Sequence, residues 1–489
     1  MPMRAQAFAG TPVTGALWQP FIAPADLLAG FGGIPLGPEL RTGRLMVFDP
    51  WMLQRQRIIH STVIGIYGEK DGGKTTLMRT LARRLMVLQA GMRLGDPVEI
   101  RARIHSRKPE GDAEGKEESE YAALSNCLHS KVFSPASFGS VNIFDPTMSM
   151  SYSDIVETAV NFAELNADRT LVRFEPLALQ IGVWKMLTAM PKLATRELLA
   201  EIVRRLDADD VNAYFNASNE EMLQSLSNAL FDDPELAVQL KSVMSKPDNI
   251  NADDFSRDAG QVSAFLGQVV PGASSDLFRG TGSLSEMLSG AVVTIDWDGI
   301  EGKSKMALES MLFKWQTLRP EYRPHVNLQD EAGMALNSLM LARAQYNYVK
   351  KARAYETADI SGTQYRSDVT HKGAPGSELR SLAEGIMLGT GLYMFTRQPE
   401  DDAVLNDLAQ LGISNRDLDF MTHLEVGCFG IKVPQQPISF FGLQLTPSDL
   451  LFNSGNAASE RMTKRQNVWD NQAFIERAQR LGVTKIGEQ

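Results

Sequence analysis

Gly68-Glu69-Lys70-Asp71-Gly72-Gly73-Lys74-Thr75 fits the pattern GxxxxGK[ST] without a gap, and its residue types suit one task, holding a phosphate chain. Glycines let a backbone turn tightly enough to aim successive N–H groups at phosphate oxygens, and a helix that starts at the loop adds its positive end. In that arrangement Lys74 reaches the β- and γ-phosphates, Thr75 offers its hydroxyl to Mg2+, and Thr76 contacts the α-phosphate. The candidate binding residues are therefore Gly68, Asp71, Gly72, Gly73, Lys74, Thr75 and Thr76, with ATP and Mg2+ as the bound groups. Chance produces the pattern in roughly two of a hundred chains of this length, so the elements around it must be read as well.

Hydrolysis needs a further acid to hold Mg2+, often followed by a carboxylate that polarises the attacking water. Two stretches offer one: residues 291–296 (AVVTID), ending in Asp296, and residues 325–331 (HVNLQDE), ending in Asp330 and Glu331. Adjacent acids divide the work, one toward the metal and one toward water, so residue type favours Asp330 and Glu331, with Asp296 as the competitor. Acids also suit a helix N-terminus, which keeps a bland reading of the pair open. Gln364 closes the run 360–364 (ISGTQ) with an amide suited to sensing a γ-phosphate or orienting water. Lys350, Lys351 and Arg353 end a helical run, where the dipole favours cations in any case.

The flanking sequence predicts elements that would position these groups. Residues 62–67 (TVIGIY) read as a buried strand, and Leu77, Leu81, Leu85 and Leu88 recur at three- and four-residue spacing before Gly91. The order is strand, glycine-rich turn, helix. Val98, Ile100, Ala102 and Ile104 alternate with Glu99, Arg101 and Arg103, which predicts a strand near a sheet edge with one polar, solvated face. Residues 107–120 (RKPEGDAEGKEESE) read as a solvated loop. The basic cluster Arg101, Arg103, Arg107 and Lys108 is taken as part of that solvated surface rather than as a nucleic-acid contact.

From 151 to 272 the periodicity is almost wholly helical, with runs at 196–206, 220–230 and 234–244; strand-like runs return at 291–296, 326–330, 360–364, 392–396 and 426–433. Alternating strands and helices predict an α/β fold with a mostly parallel, helix-covered sheet. The expected division is an extended N-terminal arm (1–45), the first part of a P-loop ATPase domain (46–150), an all-α insertion (151–280), the second part of the ATPase domain (281–445) and a helical tail (446–489).

The 489 residues, 43% hydrophobic and 22% charged, have the composition of a globular protein, which excludes fibrous and disordered classes. The net charge of −10 argues against a globally basic nucleic-acid binder but leaves a local basic surface in an oligomer open. Cys127 and Cys428 are too few for a disulfide framework or a CxxC site, and the six histidines form no HExxH, so a reducing, cytoplasmic setting without a structural metal is expected. Residues 5–16 are interrupted by Gln6, Gly10, Pro12 and Gly15, unlike a signal peptide. The apolar windows 177–190 and 386–395 are too short or too interrupted to cross a bilayer, so membrane association is expected only through partners.

Taken in order, Arg41-Thr42-Gly43, Phe48-Asp49-Pro50, the P-loop, Val141-Asn142-Ile143-Phe144-Asp145-Pro146, the helical insertion, Val292-Val293-Thr294-Ile295-Asp296, Asp330-Glu331-Ala332 and Thr363-Gln364 resemble the HerA/FtsK superfamily. Within it the chain is most similar to the conjugative type IV secretion motor ATPases of the VirB/TraC type, from about residue 33 to about residue 437. The resemblance implies a RecA-like motor domain with an all-α subdomain, working as a ring, typically a hexamer, with ATP at subunit interfaces. It sets Asp330 and Glu331 on the metal-binding and catalytic positions, Asp296 on the strand before them, Gln364 on the family's glutamine and Arg353 on the arginine finger that reaches a neighbour's ATP.

Three departures stand out. Asn327 and Gln329 occupy a strand that is apolar in relatives. The strand at 98–104 runs into a charged loop instead of an Asp-Pro step, although residues 120–124 (EYAAL) are similar to the helix that follows in relatives. No counterpart of the large N-terminal domain of the full-length secretion ATPases is expected in the short arm. The implied function is an ATP-driven motor for substrate transfer or channel assembly, with secretion-channel or conjugation proteins as partners at the inner face of the cell membrane. A DNA translocase or coupling protein of the same superfamily is one alternative, which keeps DNA open as a partner, and a nucleotide-binding scaffold subunit with little turnover is the other.

Overall fold

The structure is a computed structural model. It describes residues 33–91, 102–106, 121, 124–125, 130–134, 140–145, 148, 150–190, 194–217, 250–268, 277–279, 282–284, 288, 292–297, 300, 302–318, 325–330, 338–352, 357–370, 372–446 and 449. In chain order its strands are β1 (Ile34–Pro38), β2 (Leu45–Phe48), β3 (Val63–Tyr67), β4 (Ala102–Ser106), β5 (Lys131–Phe133), β6 (Val292–Asp296), β7 (His325–Gln329), β8 (Thr357–Thr363), β9 (Leu392–Phe395), β10 (Cys428–Lys432) and β11 (Ser439–Gly442). The described residues fall into two compact units, the first within 1–130, 323–334 and 349–489, the second within 131–322 and 335–348.

The first unit is an α/β layer whose strands lie in the order β11-β10-β9-β3-β8-β7-β4. The pairs β9–β3, β3–β8, β8–β7 and β7–β4 are parallel, while β10 and β11 join antiparallel at one end. Every residue of β3, β9 and β10 is buried, which is why these stretches read as continuous apolar runs rather than as alternation. The helix Lys74–Gly91 packs against β7 and β8, with Leu77, Met78, Leu81 and Leu85 fully buried, so the leucine spacing in the sequence marks the face turned to the sheet.

Two departures from the sequence reading concern polar residues that are inside. Arg103 and His105 on β4 are only 3% and 6% exposed, so the strand does not present a solvated face. Its alternation distinguishes two covered faces, and the Arg103 guanidinium donates to the Ala102 carbonyl at 2.9 Å. Arg101, Arg107 and Lys108 lie outside the described residues. On β7, Asn327 and Gln329 are also buried. Asn327 sits opposite Asp359 of β8 and donates to its Oδ1 at 2.6 Å, a cross-strand pair that lets a polar strand lie inside the sheet between β8 and β4. Burial lifts the Asp359 carboxyl to about 6, against the opposing pull of the Asn327 bond.

Residues 34–48, which straddle the expected boundary at 45 between arm and ATPase domain, form the antiparallel hairpin β1–β2. It is fastened to β11, with the Leu40 amide donating to Phe440 O at 2.7 Å and Gln444 N to Leu36 O at 2.8 Å. Gly37, at φ 147°, makes this approach possible, because a Cβ there would lie 1.9 Å from the Gly442 carbonyl oxygen. The glycine that helped hide a strand in the sequence is what lets the two backbones meet.

The second unit is built mainly from helices: Tyr152–Ala167, Glu175–Ala189, Arg196–Arg204, Ala208–Asn216, Ala252–Gly267 and Gly302–Leu318. Ser151 and Asp207 close capping boxes at two of their starts. Phe162, Leu179, Leu199, Val203, Phe255, Val262 and Trp315 belong to one core. The parallel pair β5–β6 falls in this unit with the helices. Residues 142–145 form a buried turn here: Asn142 accepts from Phe144 N at 3.0 Å and donates to Ala194 O at 2.8 Å, and Asp145 accepts from Ser283 Oγ at 2.9 Å. Burial lifts the Glu309 carboxyl to about 7, with Lys305 pulling the other way from 3.8 Å. The helical runs expected at 220–230 and 234–244, and nearly all of 446–489, lie outside the described residues. Among the described residues no helix is long and apolar enough to cross a membrane.

Candidate nucleotide-binding site

The phosphate-loop candidate leaves β3 at Tyr67 and enters the helix at Lys74. Three of its residues take positive φ: Gly68 at 153°, Asp71 at 63° and Gly73 at 93°. Glycine adopts such angles without cost, and aspartate tolerates the left-handed region better than most side chains. The loop is held by its flanks. Gly68 N donates to the Gln364 carbonyl at 2.7 Å, Glu69 N to the Arg397 carbonyl at 3.2 Å, and Glu69 pairs with Arg397 Nε at 2.9 Å. A Cβ on Gly68 or Gly72 would lie 1.6 Å or 2.6 Å from Thr396 Oγ1, so neither position has room for a side chain.

At the helix start the first backbone N–H groups have no partner within the helix and suit an anion. Thr76 Oγ1 is buried with no hydrogen-bond partner among the described residues. Lys74 and Thr75 are half-buried at the same turn. An unsatisfied hydroxyl, helix-end amides and an ammonium at one turn form a donor set that fits a polyphosphate.

Thr75 Oγ1 donates to Asp330 Oδ2 at 3.0 Å, joining the first turn of the helix to the residue that follows β7. The same carboxylate oxygen accepts from the Tyr121 hydroxyl at 3.1 Å. On β8, a Cβ at Gly362 would lie 2.9 Å from Asp330 Oδ1 and 2.5 Å from Met78 Sδ, so the glycine leaves room for the carboxylate. A threonine hydroxyl beside a strand-end aspartate is the donor set that holds a hard divalent cation.

The structure therefore brings together Thr75 and Asp330 from the sequence candidates. Gln364 lies next to the loop through its backbone, with its side chain exposed. Asp296 ends β6 in the second unit. Lys350 and Lys351 are exposed in the last turn of the helix Leu339–Ala352. Glu331 and Arg353 lie outside the described residues.

Sequence reasoning missed Tyr121, Thr396 and Arg397. Tyr121 carried a faint signal, a lone aromatic directly after a long charged run; for the other two, nothing in the local sequence distinguishes them from the end of any strand.

No family model matches the chain, and no curated protein does. Among solved structures it is similar to VirB4 of Thermoanaerobacter pseudethanolicus, at 17% identity over 86% of this chain and 98% of that one, with a TM-score of 0.54. It is also similar to the plasmid coupling protein TrwB in complex with an ATP analogue, at 13% identity over 80% and 87% of the two chains with a TM-score of 0.49. The fold implied by the sequence resemblance is the fold found, that of a P-loop NTPase shared with VirB4.

Proposed function

We propose that this chain is an ATP-hydrolysing motor of a conjugative or type IV secretion apparatus, working as a ring, a hexamer, that drives substrate transfer or channel assembly. The observation that carries the nucleotide part is the 3.0 Å contact between Thr75 Oγ1 and Asp330 Oδ2, which couples a phosphate-binding loop to an acid at the end of a separate strand. Support for the apparatus comes from the likeness to VirB4, which extends over 86% of the chain.

In this reading Lys74 and the amides of the loop draw the phosphate charge, while Thr75 and Asp330 hold Mg2+. Bound Mg2+ supplies charge neutralisation at the phosphates. Glu331 takes the proton of the attacking water, Gln364 orients that water, and Arg353 reaches the ATP of the neighbouring subunit. Secretion-channel or conjugation proteins tie the cytoplasmic ring to the membrane.

The test is an ATPase assay of the purified protein and of Lys74→Ala, with and without single- and double-stranded DNA, with mass measured in the same samples. Turnover by a hexamer, abolished in the variant and indifferent to DNA, is the expected result. Strong stimulation by DNA replaces this reading with that of a DNA translocase or coupling protein. Tight ATP binding without turnover replaces it with that of a scaffold subunit.

A further inference from the structure

We propose that Tyr121 is a positioning residue of the metal site, acting through Asp330. The inference rests on the nucleotide reading above and adds to it a residue outside the loop and the strand-end acid. Tyr121 is 1% exposed, and its hydroxyl donates to the oxygen of Asp330 that also accepts from Thr75. A phenol this deeply buried needs a hydrogen-bond partner, and here the partner is the acid placed to hold the cation.

The ring is fixed from the nucleotide side as well. Arg79 lies one helical turn beyond Thr75, is 5% exposed, and sets its guanidinium carbon 5.1 Å from the centre of the Tyr121 ring. Its Nε has no hydrogen-bond partner among the described residues, and the guanidinium rests against the aromatic face. One helix thus meets the tyrosine twice, through Asp330, whose Oδ2 also accepts from Thr75, and directly, where Arg79 covers the ring.

A carboxylate turns easily about its last torsion. At Asp330 two donors on Oδ2 and the close approach of Gly362 to Oδ1 select one orientation. Donors of this kind, one shell out from a metal, commonly account for a 10–100-fold difference in its affinity.

Tyr121→Phe separates the two roles, because it keeps the ring and its contact with Arg79 and removes only the O–H. Equilibrium binding of a fluorescent ATP analogue is measured in EDTA and across a Mg2+ titration, with thermal melting recorded beside it. The expected result is unchanged affinity in EDTA and a roughly tenfold rise in the Mg2+ concentration that gives half the metal-dependent gain. In an Asp330→Asn background the same substitution should change the Mg2+ dependence no further.

An unaltered Mg2+ midpoint in Tyr121→Phe overturns the inference. So does a variant that melts early and loses affinity equally with and without Mg2+, since that assigns the tyrosine to the core. A wild-type chain that binds no analogue under any condition refutes the nucleotide reading itself, and this inference with it.

Discussion

Asp359 should make the protein less stable near neutral pH than it would be with a neutral residue at that position. Its carboxyl is buried, on the strand β8 that lies between β3 and β7, and sits at about 6 rather than 3.8, so the folded state binds a proton that the unfolded chain has already released. The sign follows from linkage: between about pH 3.8 and 6 the folded state holds more protons, so stability rises as pH falls through that window and stays at its lower level above it. That difference corresponds to about 3 kcal/mol at neutral pH. Asp359→Asn removes the charge while keeping the oxygen that accepts from Asn327. The new amide N–H lacks an assured acceptor, which returns about 1–2 kcal/mol. The net expectation is a gain of about 1–2 kcal/mol at pH 8 and a loss of about 1 kcal/mol at pH 4, where the carboxyl is already protonated in the folded state and only the amide's cost is left, read as melting temperature against pH for both proteins. Glu309, lifted to about 7 by its own burial, adds a slope of the same sign, so the variant should flatten the profile without levelling it. A variant less stable than the parent at pH 8, with an unchanged profile, would refute the reasoning.

Two further outcomes follow from the proposed catalytic residues. Glu331→Gln should bind ATP and hydrolyse it ~10²–10⁴-fold more slowly, whereas Asp296→Asn should be mild; the opposite ranking in a turnover assay means the wrong acid was chosen. Mixing Lys74→Ala chains with Arg353→Ala chains should restore activity above either parent, because some interfaces regain a working loop facing a working arginine, and an arginine supplied in trans contributes ~10³–10⁵ in rate. Activity that stays at the parental level while subunits demonstrably exchange rules Arg353 out as that finger.

The loop, its strand and its helix were legible because each is specified locally: β3 is buried at every residue, and Leu77, Leu81 and Leu85 keep one buried face of the helix. Pairings between distant segments were not. Arg103 looked like a surface residue and Asn327 like an odd polar residue in its strand because nothing near them names their surroundings, and the partner of Asn327 lies 32 residues away on another strand. Tyr121 and Asp330 are 209 positions apart, so no local pattern could join them. The hairpin β1–β2 was missed for a different reason, since its Gly37 is required by a neighbouring backbone rather than by its own turn.

The place of β3 between β8 and β9 has a consequence for biogenesis. Ser361 on β8 bonds the Ile64 carbonyl across 297 residues, and β9 lies further along still. At ~5–20 residues per second, a ribosome takes roughly 15–60 s to deliver those neighbours. Throughout that interval an entirely apolar strand, already translated, has neither edge covered. Such a strand is a target for chaperones and a seed for self-association, and a chain released early, before β8 and β9 emerge, would keep both edges open for good.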